Sequence, residues 1–236
     1  MKYGHFSDNE IPKFETKGYQ TNSHGYRCPE WTPLPEGKKN VVVLGCSHTF
    51  GEGLEENEIW VNQLYNKIDQ RLLRFWNLGV PGASADLITR ILYSTEKILF
   101  PKVIIVCWPA FSRRERLEQQ TINLTNTAPS LVLENEHTDQ NNFLKNVFFV
   151  EKFAEKNSAK VFHCFAEETY NLQSNHVYHE KSLKNCWPVW SKIRRNHEER
   201  IFVSEPSFAR DGVHYGVEHH TTFANLLYNH FKTKLQ

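Results

Sequence analysis

Apolar residues recur along the chain in two alternating rhythms, and the alternation predicts the architecture. Asn40–Gly45 is a short apolar, β-branched run and reads as a buried strand. Glu58–Ile68 sets Ile59, Trp60, Leu64, Tyr65 and Ile68 at helical spacing. Leu73–Leu78 is a second strand. Ser84–Leu99 is a helix with Leu87, Ile88, Ile91, Leu92 and Ile98 on one face, Ser84 as its N-cap and Pro101 just beyond its end. Lys102–Trp108 is the clearest buried strand. Asn142–Lys156 reads as a helix, Ala159–Phe165 as a strand, Ile201–Ser204 as a short last strand, and Gly216–Phe231 as a closing helix. This alternation predicts an α/β fold of three layers, α/β/α, around a parallel sheet of five strands. In such sheets ligands bind at the carboxyl ends of the strands.

Two stretches resist this reading. Residues 110–140 and 166–200 are polar or mixed and follow no sustained period. Residues 1–38 carry Pro12, Pro29, Pro33 and Pro35 and read as an irregular arm. Its aromatic residues predict that it packs on the domain formed by residues 39–236.

Composition narrows the function classes. Lys and Arg total 28 against 27 Asp and Glu, a formal net charge of +1, so no global attraction to nucleic acid or to anionic membrane is expected. The aromatic content marks a folded chain. No run approaches the roughly 20 apolar residues of a membrane span. No signal-peptide pattern opens the sequence, so a soluble, cytoplasmic protein is expected. The residues determine no oligomeric state. Cys28, Cys46, Cys107, Cys164 and Cys186 are odd in number and form no CxxC pair, which argues against a disulfide framework or a zinc ribbon. The spacing of His163, His176, His179 and His197 fits no standard zinc pattern, so no metal site is expected.

The candidate chemistry starts at Gly45-Cys46-Ser47-His48-Thr49-Phe50-Gly51-Glu52-Gly53, directly after the first strand. A phosphate-binding loop needs Lys after its second glycine. Here Glu52 follows Gly51, and a carboxylate repels phosphate. A serine at a strand end can instead expose its hydroxyl as a nucleophile, provided that a base takes its proton and a third group orients that base. Asp211-Gly212-Val213-His214 supplies such a pair: an Asp and a His three residues apart in a loop can lie side by side. Cys46, next to the serine, is expected to point into the core.

These blocks, in this order, resemble the SGNH hydrolases, the GDSL-like esterases and lipases. Gly45-Cys46-Ser47 is similar to their first block, with Cys46 where an aspartate is usual. Gly82, within Asn77–Ser84, is similar to their oxyanion-hole glycine. Asp211–His214 matches their DxxH, and His220 falls where a further histidine often lies. The family's third-block Asn is absent: Cys107-Trp108-Pro109-Ala110-Phe111-Ser112-Arg113 holds none. Thr21-Asn22-Ser23-His24-Gly25-Tyr26-Arg27 is similar to the NSxGYR arms of some bacterial and phage members.

The resemblance implies a flavodoxin-like SGNH fold and a serine esterase or deacylase. Ser47 would be the nucleophile, His214 the base and Asp211 its orienting carboxylate, with the amides of Ser47 and Gly82 forming the oxyanion hole. Ser112, Arg113, Trp108 and His48 are expected as substrate or oxyanion contacts. The implied partner is a small-molecule or glycan ester with a short acyl group, such as acetyl on a carbohydrate. No metal or organic cofactor is implied. An acyltransferase on the same site, or a catalytically silent binding module, are the alternatives.

Overall fold

The longest β-branched runs become the middle of one sheet. A computed structural model of the chain describes residues 12–16, 18–118, 120–124, 136–165, 186–187 and 207–235. The strands are β1 (Lys39–Gly45), β2 (Leu73–Gly79), β3 (Val103–Trp108), β6 (Lys160–Phe165) and the two-residue β7 (Cys186–Trp187). They pair in the order β2-β1-β3-β6-β7, all parallel. Val41, Val42, Val43 and Leu44 of β1 are fully buried, as are Ile104, Ile105 and Val106 of β3. A strand with helices on both sides has no solvent face, hence the unbroken apolar runs.

The helices are the single turn α1 (Ser47–Phe50), α2 (Trp60–Tyr65), α3 (Ala85–Leu99), α4 (Glu136–Lys156) and α5 (Val217–Leu235), with a 3₁₀ turn at Glu56–Glu58. Packing pairs α2 with α5 and α3 with α4. Parallel crossovers are right-handed. The chain winds from β1 to β2 in one direction and from β3 to β6 in the other, so the two helix pairs cover opposite faces. The winding reverses beside β1, and that reversal opens the crevice in which such sheets bind ligands.

Local signals explain most boundaries. Ser84 Oγ accepts the Leu87 amide at 3.2 Å and caps α3, while Phe100 in the left-handed conformation ends it. The segment 110–140, polar in sequence, contains an antiparallel hairpin, β4 (Arg114–Glu118) with β5 (Gln120–Leu124). Helix α4 starts at Glu136, ahead of the Asn142 expected from periodicity. The expected strand Ile201–Ser204 lies outside the described residues. In the arm, Tyr26 is fully buried and Phe14 nearly so, both within the main core. Cys28, Cys46, Cys107 and Cys164 are buried free thiols. Among the described residues no helix is long and apolar enough to cross a membrane.

Candidate active site

Gly45 closes β1 and the chain folds at once into α1, with the Thr49 and Phe50 amides both bonded to the Cys46 carbonyl at 2.9 Å. A Cβ on Gly45 would stand 2.1 Å from Thr49 Oγ1, and one on Gly79 would stand 2.4 Å from the Phe50 amide. Two glycines in register, Gly45 opposite Gly79, therefore let α1 settle across the ends of β1 and β2. Cys46 turns into the core. Ser47 is 5% exposed, and its hydroxyl makes no hydrogen bond among the described residues.

The turn after β2 leaves the sheet beside it. The Val80 amide donates to the Gly45 carbonyl at 3.0 Å, tying the two turns together. Gly82 follows at φ 72°, a conformation that favours glycine. Among the described residues, the amides of Ser47 and Gly82 donate to no protein group. They are free to meet an anion.

The third part is a narrow antiparallel finger between Ser207 and Gly216. The Ala209 amide donates to the His214 carbonyl and the Gly216 amide to the Ser207 carbonyl, both at 2.8 Å. At its tip Asp211 Oδ1 accepts the Val213 and His214 amides at 2.9 and 3.0 Å, and Oδ2 meets His214 Nδ1 at 2.6 Å. Burial pushes the Asp211 carboxyl up, but the two amides and the imidazole outweigh it and hold it down at about 2. An ionised carboxylate on Nδ1 keeps the proton there and leaves Nε2 as the outward nitrogen. Nε2 stands 3.3 Å from Glu52 Oε2. Among the described residues no hydrogen bond joins it to Ser47.

Glu52 was missed in the sequence, where it counted only as the residue that spoils a phosphate loop. Its place is built with care. Arg27 from the arm donates to the Gly51 and Leu54 carbonyls at 2.8 and 3.0 Å, and its guanidinium lies over Tyr19 and Phe50. The Gly53 amide donates to Tyr19 Oη at 2.9 Å, and the Gly53 carbonyl accepts the Arg210 amide at 3.1 Å. Burial, followed by the charge of Asp211, pushes the Glu52 carboxyl up against the opposing pull of His214. A charged residue between two glycines, five positions after a candidate nucleophile, was the available signal.

The remaining histidines have other tasks. His48 stacks on Tyr215 at 4.8 Å and lies 5.5 Å from the His214 ring; burial and then His214 push it down to about 3, so it is neutral. His219 also stacks on Tyr215, at 4.9 Å, with Nδ1 3.1 Å from Ser207 Oγ. His220 is buried, and its Nδ1 accepts the Trp60 amide at 3.1 Å, capping α2 from α5.

After β3 the expectations part. Trp108, expected as a substrate contact, is fully buried and its indole donates to His163 Nδ1 at 2.9 Å. It faces the core. His163 in turn contacts Glu151 at 3.1 Å. Ser112 and Arg113 lie half-buried in the turn behind β3, and the Arg113 charge reaches His48. Arg114 pairs with Asp139 at 2.8 Å and Glu115 with Arg90, which ties both to neighbouring helices. His176, His179 and His197 lie outside the described residues.

No protein-family model matches the chain, and no curated protein matches it. Solved structures do. The chain is similar to the esterase EstA of Pseudoalteromonas sp., solved with monoethylphosphonate as inhibitor, with 13% identity and a TM-score of 0.54 over 84% of this chain and 99% of that one. It is similar to TesA, with 14% identity and a TM-score of 0.53 over 83% and 99% of the two chains. It is also similar to a protein described as lipolytic and of the G-D-S-L family from Desulfitobacterium hafniense, with 15% identity and a TM-score of 0.50 over 81% and 99%. The chain has the three-layer α/β/α fold of these proteins.

Proposed function

We propose that the protein is a serine esterase or deacylase of the SGNH type. The observation that carries the reading is the Asp211–His214 pair, 2.6 Å apart, on a finger at the same sheet edge as the uncommitted Ser47 hydroxyl. Ser47 Oγ attacks the acyl carbon while His214 Nε2 takes its proton. The bond from the acyl carbon to the alcohol oxygen breaks, and His214 returns the proton to that oxygen. Water then repeats the sequence on the acyl-enzyme. Asp211 fixes the tautomer and stabilises the imidazolium. The amides of Ser47 and Gly82, with no internal acceptor among the described residues, hold the oxyanion. The Ser47–His214 hydrogen bond forms in the substrate complex, since such bonds tighten only when the site is filled. A short acyl group such as acetyl, on a small molecule or glycan, is the substrate class.

Labelling with a fluorophosphonate probe tests this reading. Wild-type protein is expected to take up one label that is lost in Ser47→Ala, while both melt alike. A folded wild type that takes no label, or a Ser47→Ala variant that labels equally, would sink it.

A further inference from the structure

Glu52 lies outside the Ser-His-Asp chemistry, yet four backbone atoms around it are pinned. The carbonyls of Gly51 and Leu54 are bonded by Arg27, the Gly53 amide by Tyr19, and the Gly53 carbonyl by Arg210. The loop between the arm and the Asp211 finger is thus held so that a single carboxylate meets His214 Nε2 at 3.3 Å. That nitrogen is the one that must reach Ser47 and the ester oxygen.

We infer that Glu52 is a specificity-determining residue that reads the alcohol side of the ester, accepting a hydrogen bond from a hydroxyl adjacent to the ester oxygen. The assignment rests on the serine-esterase reading above. With its proton on Nδ1, His214 offers Glu52 no N–H across the 3.3 Å gap, and the Glu52 carboxylate accepts no hydrogen bond among the described residues. Its side chain is only 30% exposed, so water serves it poorly. A partly buried carboxylate without a donor is costly. An alcohol bearing a neighbouring hydroxyl supplies a donor at that spot. A plain alkyl ester leaves the carboxylate stranded. Glu52 exchanges no proton with the reacting atoms: Ser47 loses one to His214, and His214 gives it to the alcohol oxygen.

The test compares kcat/KM for the glycerol 1-monoester and the n-propyl ester of the same acid, from acetyl to octanoyl. The wild type is expected to prefer the glycerol ester. Glu52→Ala is expected to reduce that preference by about tenfold to a hundredfold, the weight of a hydrogen bond to a charged group. Glu52→Gln, which keeps an acceptor oxygen, is expected to fall between. Fluorophosphonate labelling of Ser47 in both variants checks that the nucleophile and fold persist. Equal loss on both esters would show that Glu52 only shapes the loop, and an unchanged ratio would show that it reads nothing. Either outcome overturns the assignment while leaving the esterase reading intact. Absence of label and of turnover in the wild type itself would overturn both.

Discussion

A methyl group on Gly53 would lie 2.7 Å from Ala209 Cβ, 2.9 Å from Asp211 Cγ and 3.0 Å from Asp211 Oδ2, on a backbone at φ 76°. Gly53 thus makes room for the Asp211 carboxylate, which in the proposed mechanism orients His214. Gly53→Ala is therefore expected to strain the turn by about 1–2 kcal/mol, the cost of a side chain in the left-handed region. It should also push Asp211 off His214. The expected outcome is a lower melting temperature together with a fall in kcat larger than the change in KM. Unchanged kcat in a folded variant would show that Asp211 tolerates displacement.

Among the elements, the arm is a structural part of the serine turn. Arg27 is buried and forms no ion pair among the described residues, and its two donors bond the carbonyls that flank Glu52 and Gly53. Arg27→Leu leaves the Leu54 carbonyl without its donor, at about 1–3 kcal/mol, and the Gly51 carbonyl with the Leu54 amide alone. Unfolding in denaturant should register a loss of that size, and hydrogen exchange should quicken over Gly51–Leu54. A loss below about 0.5 kcal/mol, within the range of an ordinary surface substitution, would mean that the arm only rests on the turn.

What the sequence revealed follows the same logic of elements. β1, β2, β3 and β6 are legible because burial on both faces demands continuous apolar runs, and α3 because Ser84 caps an apolar stripe. The β4–β5 hairpin and the first turn of α4 are not legible, because polar residues there, Arg114, Glu115 and Asp139, are held by pairs between elements that no period records. β7 is too short to carry a period. At the site, Ser47, Asp211 and His214 announce themselves by residue type and spacing. Glu52 and Arg27 do not, since only the fold sets Glu52 against His214 and Arg27 against the carbonyls of Gly51 and Leu54.

Across the whole molecule the histidines set how stability depends on acid. His48, His219 and His220 are each pushed below the ordinary imidazole value, first by burial, with His48 at about 3. In the unfolded chain each takes up a proton near pH 6.5. Between that pH and its own folded value, the unfolded state binds more protons than the native state. Each buried histidine thus contributes stability that is present above about pH 6.5 and lost as pH falls, at up to about 1.4 kcal/mol per pH unit. Asp211, held down at about 2, extends the loss below the ordinary Asp range. Glu52 and Glu115 work in the other direction: pushed up in the fold, first by burial, they favour the native state as pH falls through the carboxylate range. That range lies below the one in which the unfolded imidazoles take up their protons. Urea unfolding is therefore expected to show a loss of at least about 2 kcal/mol between pH 7.5 and 5.0. Replacing His48 with Phe should flatten that slope by one histidine's share while keeping a ring against Tyr215. A slope that stays flat in the wild type would mean that these rings are charged in the native protein, and that the packing around Tyr215 and the cap on α2 are wrongly read.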